Sequence, residues 1–407
     1  MFKDRKTVMT VVAICLICSM AAFVIGAGVV FGYYNFGHRY NISFDQSKVS
    51  SDNVKKFGQV QSLLESKYYE DVDENKLLEG AISGMADSLN DPYTVYFNKD
   101  QMKSFTEQTD GSYVGIGVSI TMDNSGLLTV VEPFEDSPAL AAGIKKDDKI
   151  IKVDDKDVTT IRDENMIIKM IKGPENSKVK ISVYRPSENK SIDLEMLRKK
   201  IKIVNIKSEV LQNNIGYIKL TMFDADIASQ FEQHLNGLLA KGIKSLVIDV
   251  RDDPGGAYDQ VIQIANRLLP KDLIVYTEDK NKKKEEQWSD DSQQLNMPIA
   301  VLINGNSASA SEILAGALKD NKKATLVGTK SFGKGLVQEV KQLDDGSGLK
   351  VTIARYFTPS GVCIQGIGIM PDAQVELADK YKQLPVSQVP RDDDTQLKKA
   401  IEILKAK

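Results

Sequence analysis

From Val8 to Gly32 the chain carries no charged residue, and Thr10 and Ser19 are its clear polar breaks. A helix of that length extends about 37 Å, enough to cross a hydrocarbon core of roughly 30 Å. The run is longer than the apolar part of a secretory leader, and no small-x-small site followed by a polar stretch ends it. It is therefore expected to be an uncleaved, single membrane-spanning helix. Lys3, Arg5 and Lys6 precede it, so the short N-terminus should stay cytoplasmic and the following ~370 residues should fold on the far side of the cell membrane. Cys15 and Cys18 fall inside the span, with no strand-helix unit around them to make a redox pair.

Composition narrows the chemistry of the exported part. A chain of 407 residues with 42% hydrophobic and 27% charged residues is globular and long enough for two or three domains. Lys+Arg of 53 against Asp+Glu of 56 leaves a net charge of -3, which gives no bulk attraction for nucleic acid. Three cysteines make neither a disulfide framework nor a four-ligand zinc site. His38 and His234 are the two histidines, so mechanisms built on histidine clusters are excluded and no metal or cofactor is expected. His234 sits on the flank of an amphipathic helix and reads as a surface residue.

After a polar linker from His38 to about Ser51, two segments repeat apolar residues at helical spacing: Phe57, Val60, Leu63 and Leu64, then Leu77, Leu78, Ala81, Met85 and Leu89. Pro92 in Asn90-Asp91-Pro92-Tyr93 stops the second. From Gly111 to Arg198 the pattern changes to short strands, expected at Tyr113 to Thr121, Leu127 to Val131, Lys149 to Val153, Lys178 to Tyr184 and Ile192 to Leu197. Helical pieces are expected at Pro138 to Ala142 and Asp163 to Ile171. With Tyr113-Val114-Gly115-Ile116-Gly117-Val118 at its start and Ser137-Pro138-Ala139-Leu140-Ala141-Ala142-Gly143-Ile144 before Asp147-Asp148-Lys149-Ile150-Ile151, this segment resembles a PDZ domain. The resemblance makes Gly115, Ile116 and Gly117 a loop whose N–H groups receive a peptide's terminal carboxylate.

From Ile201 to Leu377 apolar strands alternate with amphipathic helices, so a layered α/β core is expected. Three places in it can carry chemistry. Asn304-Gly305-Asn306-Ser307-Ala308-Ser309-Ala310-Ser311-Glu312 joins an apolar strand to a helix and can present the Ser309 hydroxyl beside unsatisfied helix N-terminal amides. The same serines would also serve as plain helix caps, so this turn alone does not decide. Gly328-Thr329-Lys330-Ser331-Phe332-Gly333-Lys334-Gly335 begins like a phosphate-binding loop. Gly335 lacks the hydroxyl that motif needs, and Leu336 to Val340 reads as a strand where a helix is required. Lys334 instead offers a base, provided that burial lowers its pKa, and Gln338 on the same strand face can hold its amine. Asp249-Val250-Arg251-Asp252-Asp253-Pro254-Gly255-Gly256 brings flexible backbone close to a substrate carbonyl.

Together these segments, with Thr358-Pro359-Ser360-Gly361 and Gly366-x-Gly368-x-x-Pro371-Asp372, resemble the carboxyl-terminal processing peptidases, the tail-specific serine proteases of the S41 type, over roughly Val54 to Leu377. The resemblance implies Ser309 as nucleophile, Lys334 as general base, Gln338 as its orienting partner, and the N–H groups of Gly255 and Ala310 as oxyanion donors. It also matches Asp320, which reads as a residue closing its helix. The implied layout is an anchor over 1–37, a helical arm over 38–110, the PDZ domain over 111–198, a crotonase- or ClpP-like α/β peptidase core over 199–380, and a C-terminal tail and helix over 381–407. Expected partners are proteins or peptides with free C-termini, the membrane, and a second copy of the chain through its terminal helical arms, including the register of Leu397, Ala400, Ile401 and Leu404. Asp252-Asp253 departs from the family's asparagine-rich pattern and adds negative charge near the site. Cys363 reads as a buried small residue. A catalytically silent PDZ scaffold is the rival reading, and a CoA-binding crotonase-like enzyme a more distant one.

Overall fold

The computed structural model describes residues 51–123, 125–290, 292 and 294–406. The expected membrane span, Val8 to Gly32, lies outside them. Among the described residues no helix is long and apolar enough to cross a membrane. The described residues divide into two compact units at Leu78.

In the first unit, helix Ser51–Lys67 carries the expected apolar stripe, and that stripe is exposed: Phe57 is 50% and Leu63 58% accessible. The second unit holds the rest. Its main sheet has six strands in the order Ile206–Leu211, Ile215–Leu220, Ser245–Asp249, Ile299–Ile303, Ala324–Gly328, Ala373–Gln374, all parallel apart from the first pair. Both faces are covered, so the central strands Ser245–Asp249 and Ile299–Ile303 are buried at every position. Helices Ile227–Ala240, Tyr258–Leu268 and Ala310–Asp320 close one face around Ile218, Phe231, Leu246, Ile264 and Leu314.

The opposite face is covered by the chain's own C-terminal helix. Helix Thr395–Lys405 buries Leu397, Ala400 and Leu404 against Val247, Ala300, Leu302 and Val327. Its apolar side, expected to serve an interface between copies, is used by the chain's own sheet. The helix is fastened by Arg251, 1% exposed as a side chain, whose guanidinium donates to Asp249 Oδ1 and Oδ2 (3.0 and 2.6 Å), to Asp394 Oδ1 and Oδ2 (3.0 and 2.8 Å) and to Gln396 Oε1 (2.9 Å). Arg251 was legible as part of a motif, and its partner 143 residues away was not.

A second, antiparallel sheet stands beside the first. Gly348–Phe357 is its centre, flanked by Leu336–Gln342, Leu273–Asp279 and the short Val95–Phe97; Lys284–Trp288 pairs with Leu273–Asp279. The hairpin strand Lys284–Trp288, the strand Ile206–Leu211 and the helix Lys99–Thr109 were not anticipated. That helix does carry a readable start signal, since Gln101 N–H donates to Asn98 Oδ1 and Asn98 N–H to Gln101 Oε1, each at 3.0 Å.

The inserted β domain is a five-stranded antiparallel path, Val118–Met122, Leu128–Pro133, Lys149–Val153, Lys178–Arg185, Lys190–Leu197, with Lys156–Asp157 paired to its third strand. Ser112–Gly115 pairs with Lys199–Lys202 as a two-stranded stem leading in and out. The single strand expected from Tyr113 to Thr121 is therefore two strands, broken at Ile116 and Gly117.

Arg251→Leu should destabilise the protein by about 3–5 kcal/mol, because it removes the cation bonded to the buried Asp394 and leaves the buried Asp249 with Lys219 alone. Urea unfolding of the purified chain measures this; a loss under about 1 kcal/mol would show that Arg251 does not secure the terminal helix.

Candidate active site

Three adjacent parallel strands, ending at Asp249, Ile303 and Gly328, release their loops at the same edge of the sheet, where open α/β sheets place ligands. The second loop turns through Ser309 into helix Ala310–Asp320. Ser309 has φ 56° and ψ -114°, outside the regions that serine ordinarily occupies, and this bend presents the residue at the helix start. The neighbouring serines have other duties. Ser307 Oγ donates to the Val250 carbonyl (2.7 Å) and Ser311 Oγ to the Asp253 carbonyl (3.0 Å), and both residues are fully buried. Ser309 is half-buried and borders a cleft of about 590 Å³, shared with Gly255, Ala310, Lys334, Gln338 and Lys350. The Ala310 N–H has no acceptor among the described residues.

Glu312, 1% exposed, ties this turn to the loop that carries Lys334. Its Oε2 accepts the Ser309 N–H (3.0 Å) and the Lys334 N–H (2.8 Å), and its Oε1 accepts the Gly333 N–H (2.7 Å) and the Ser331 hydroxyl (2.5 Å). Burial pushes the Glu312 carboxyl upward, and these four donors oppose the rise. Tyr356 adds a second clamp, its hydroxyl donating to the Ser309 carbonyl at 3.1 Å. The sequence alone gives Glu312 no role beyond that of a residue early in its helix. The signal available was a Ser-x-x-Glu helix start, which predicts the bond to Ser309 and gives no hint of the three bonds to the lysine loop.

Lys334 stands in a loop before strand Leu336–Gln342, so no helix follows it and the phosphate-loop reading is excluded. Its amine lies 4.8 Å from the centre of the Tyr93 ring. Burial pushes its pKa below the ordinary lysine value; the positive charge of Lys350 adds to this, while Asp91 and Glu312 oppose it. Asp91 is itself fixed by the Tyr93 N–H (3.0 Å) and the Thr94 hydroxyl (2.7 Å), and Thr94 Oγ1 accepts the Thr352 N–H at 3.1 Å. The Asn90-Asp91-Pro92-Tyr93 segment, read from sequence as a helix stop, thus forms one wall around the lysine.

Among the described residues no hydrogen bond joins Ser309 to Lys334. Gln338 lines the same cleft, and its amide donates to Thr352 Oγ1 at 3.4 Å. A bulge between Val337 and Gln338 interrupts the alternation from which a common face with Lys334 was expected. Gly255 belongs to the first loop, with φ +97°, and a Cβ there would meet the Ala308 carbonyl oxygen at 2.7 Å and the Ala310 nitrogen at 2.8 Å. Only glycine lets the two loops approach so closely. Its N–H donates to Asp253 Oδ1 at 2.9 Å.

Asp320 ends the serine helix and accepts the Ser360 N–H at 2.9 Å, holding the Thr358 to Gly361 turn. His234 is half-buried, with Nδ1 2.7 Å from Ser208 Oγ, away from the cleft. Cys363 is half-buried, where full burial was expected.

In the β domain, Ile116 and Gly117 offer N–H groups that have no acceptor among the described residues, while their carbonyls accept from Ala139 (2.9 Å) and Phe134 (3.0 Å). Beside them Val118–Met122 is the edge strand of its sheet. Helix Glu164–Ile171 and the residue after it are linked to helix Lys99–Thr109 by Lys169–Asp100 (2.5 Å) and Lys172–Glu107 (2.7 Å).

A peptidase core with an inserted peptide-binding module is the class that this arrangement defines. The chain matches Peptidase family S41 over residues 214–375, a PDZ domain over 114–209, and the Activating protease CtpB N-terminal domain over 23–101. It is 37% identical over 375 residues to the carboxy-terminal processing protease CtpA of Bacillus subtilis, covering 90% of this chain and 80% of that one. Against the carboxy-terminal-processing protease of Bartonella bacilliformis the identity is 36% over 357 residues, with 85% and 81% covered. A putative S41 protease of Bacteroides fragilis shares the fold, with a TM-score of 0.50 at 17% identity over 78% of this chain and 87% of that one. The chain belongs to the carboxy-terminal processing proteases of family S41, and it is a serine peptidase.

Glu312→Gln should lower kcat by about a hundredfold, because an amide NH2 meets N–H donors where a carboxylate oxygen accepted them and the two loops shift apart. KM and the circular dichroism spectrum should hardly change. Activity within about twofold of the unsubstituted enzyme would show that Glu312 does not align the site.

Proposed function

We propose that this protein is a membrane-anchored, extracytoplasmic endopeptidase that works through a Ser309–Lys334 dyad and captures its substrates by their C-termini. The observation that carries the dyad is a half-buried lysine with a lowered pKa in the same cleft as a serine on a strained helix start, with one buried carboxylate bonded to the backbone of both. Neutral Lys334 takes the proton of Ser309 Oγ as it attacks the scissile carbonyl. The oxyanion forms beside the helix N-terminus, where the free Ala310 N–H and a Gly255 N–H released from Asp253 can stabilise it. Lys334 then passes the proton to the leaving amine, and a water activated by the same amine releases the acyl group. Gln338 is proposed to turn toward the lysine amine when substrate fills the cleft. No metal or cofactor takes part in this scheme.

Substrate capture rests on the free N–H groups at Ile116 and Gly117 and the open edge of Val118–Met122, which together accept a terminal carboxylate and an added strand. The tether raises the local concentration of the adjacent chain at Ser309, so the cut need not fall at the end itself. Anchoring rests on the uncharged Val8 to Gly32 run behind three cations. A homo-oligomer is proposed through the exposed stripe of helix Ser51–Lys67.

Ser309→Ala and Lys334→Ala should each abolish degradation of a disordered protein while leaving the fold intact. Retained turnover in purified Ser309→Ala protein would overturn the nucleophile assignment. Since the base must be neutral, activity should disappear as pH falls through the lowered Lys334 pKa, and chelators should leave it unchanged.

A C-terminally amidated peptide should be cut much more slowly than its free-acid twin; equal rates would end the carboxylate-reading proposal. Protease added to intact protoplasts should digest the catalytic core, and a protected core would reverse the topology.

A further inference from the structure

Asp253 is fully buried, and its carboxylate is divided between two fates. Oδ1 accepts the Gly255 N–H at 2.9 Å, and Oδ2 has no hydrogen-bond partner among the described residues. A buried carboxylate oxygen without a donor is far more costly when ionised than when it carries the proton. The Gly255 N–H that Oδ1 holds is the group expected to meet the substrate oxyanion, and Gly255 borders the cleft beside Ser309.

The surrounding charges do not cancel this one. Lys219, on strand Ile215–Leu220, bonds to Asp249 Oδ1 (3.2 Å) and to the Arg251 carbonyl. Arg251 is committed to Asp249 and Asp394. Asp252 turns away, accepting from Asn304 Nδ2 (2.8 Å), Asn306 Nδ2 (3.0 Å) and the Val386 N–H (2.7 Å). From the serine helix, Ser311 donates to the Asp253 carbonyl. Burial pushes the Asp253 carboxyl up to about 7; Asp249 adds to the rise, while the Gly255 N–H, Lys219 and Ser311 oppose it.

We propose that Asp253 is a positioning residue that gates the oxyanion hole: its ionised carboxylate retains the Gly255 N–H and sets a negative charge behind the site, and its protonation frees that N–H for substrate. The inference rests on the serine-peptidase reading with Gly255 as an oxyanion donor. A carboxylate is a stronger acceptor than a neutral acid, so loss of the proton tightens the bond that catalysis must break. The charge also opposes the developing oxyanion directly. A proton taken up by Oδ2 removes the buried charge and leaves Oδ1 a weaker, carbonyl-like acceptor. The adjacent Gly255-Gly256 pair permits the peptide to rotate. Lys334 needs high pH to be neutral and Asp253 needs low pH to be neutral, so the activity of the unsubstituted enzyme is bell-shaped in pH.

Asp253→Asn keeps the shape and the acceptor and removes the charge. In the full-length protein its kcat/KM should remain high on the alkaline side, exceeding the unsubstituted enzyme by about tenfold near pH 8.5, less than the 10²–10³ of a lost oxyanion donor. Folding gives a second measurement. The carboxyl binds its proton more tightly folded than unfolded, so its stabilising contribution is full below about 3.8 and is lost as pH rises through about 7. The Tm advantage of Asp253→Asn over the unsubstituted protein should therefore widen across that window and stay level above it. An unchanged alkaline limb in Asp253→Asn, with Ser309→Ala inactive, overturns the gate alone. A Tm difference independent of pH overturns it as well, and activity surviving in Ser309→Ala overturns both the gate and the reading beneath it.

Discussion

One buried carboxylate organises the catalytic cleft. Glu312 accepts from the backbone of Ser309 on one loop and from Ser331, Gly333 and Lys334 on another, so the positions of Ser309 and Lys334 are set by a single buried group. Burying a carboxylate is unfavourable unless its lone pairs are filled, and here four donors fill them. The three bonds from Ser331, Gly333 and Lys334 define the loop conformation that places Lys334 at the mouth of its strand. The placement of both residues thus depends on bonds that involve neither the Ser309 hydroxyl nor the Lys334 amine.

The division of labour between sheets follows from topology. The parallel sheet brings the glycine loop, the serine turn and the start of the lysine loop to one edge. The lysine's surroundings come from elsewhere: Tyr93 and Asp91 precede the β domain in sequence, while Tyr356 and Lys350 lie on the antiparallel sheet. A half-buried lysine beside a second lysine is easier to deprotonate than one in water. This enclosure separates Lys334 from the many lysines on the surface. The β domain joins this unit through its two-stranded stem, and its Lys169 and Lys172 reach the helix Lys99–Thr109, whose neighbour Phe97 borders the cleft.

Period and punctuation in the sequence were enough for the core strands Ile215–Leu220 and Ile299–Ile303 and the helix Ala310–Asp320, where both faces or one long stripe are apolar. They failed where the signal was short or contested. Gly117, at φ +76°, breaks what reads as one strand into two. Lys284–Trp288 is nearly all polar, because it is an outer strand with its partner on one side only. The apolar register of Thr395–Lys405 was visible, and its destination on the chain's own sheet was not.

By itself the sequence determined which residue types can perform chemistry here: a serine at a helix start, a glycine-flanked lysine, a glycine pair after an apolar strand, and no histidine cluster. These are local facts, carried by neighbours in the chain and by backbone preference. The tertiary structure decided which serine is exposed, since Ser307 and Ser311 spend their hydroxyls on Val250 and Asp253 carbonyls more than fifty residues away. It also decided what lowers the lysine and where the Gly255 N–H points, through contacts among segments distant in sequence. Burial and hydrogen-bond partnership are properties of the folded surroundings, and a pKa or a free donor is fixed only once those surroundings have closed.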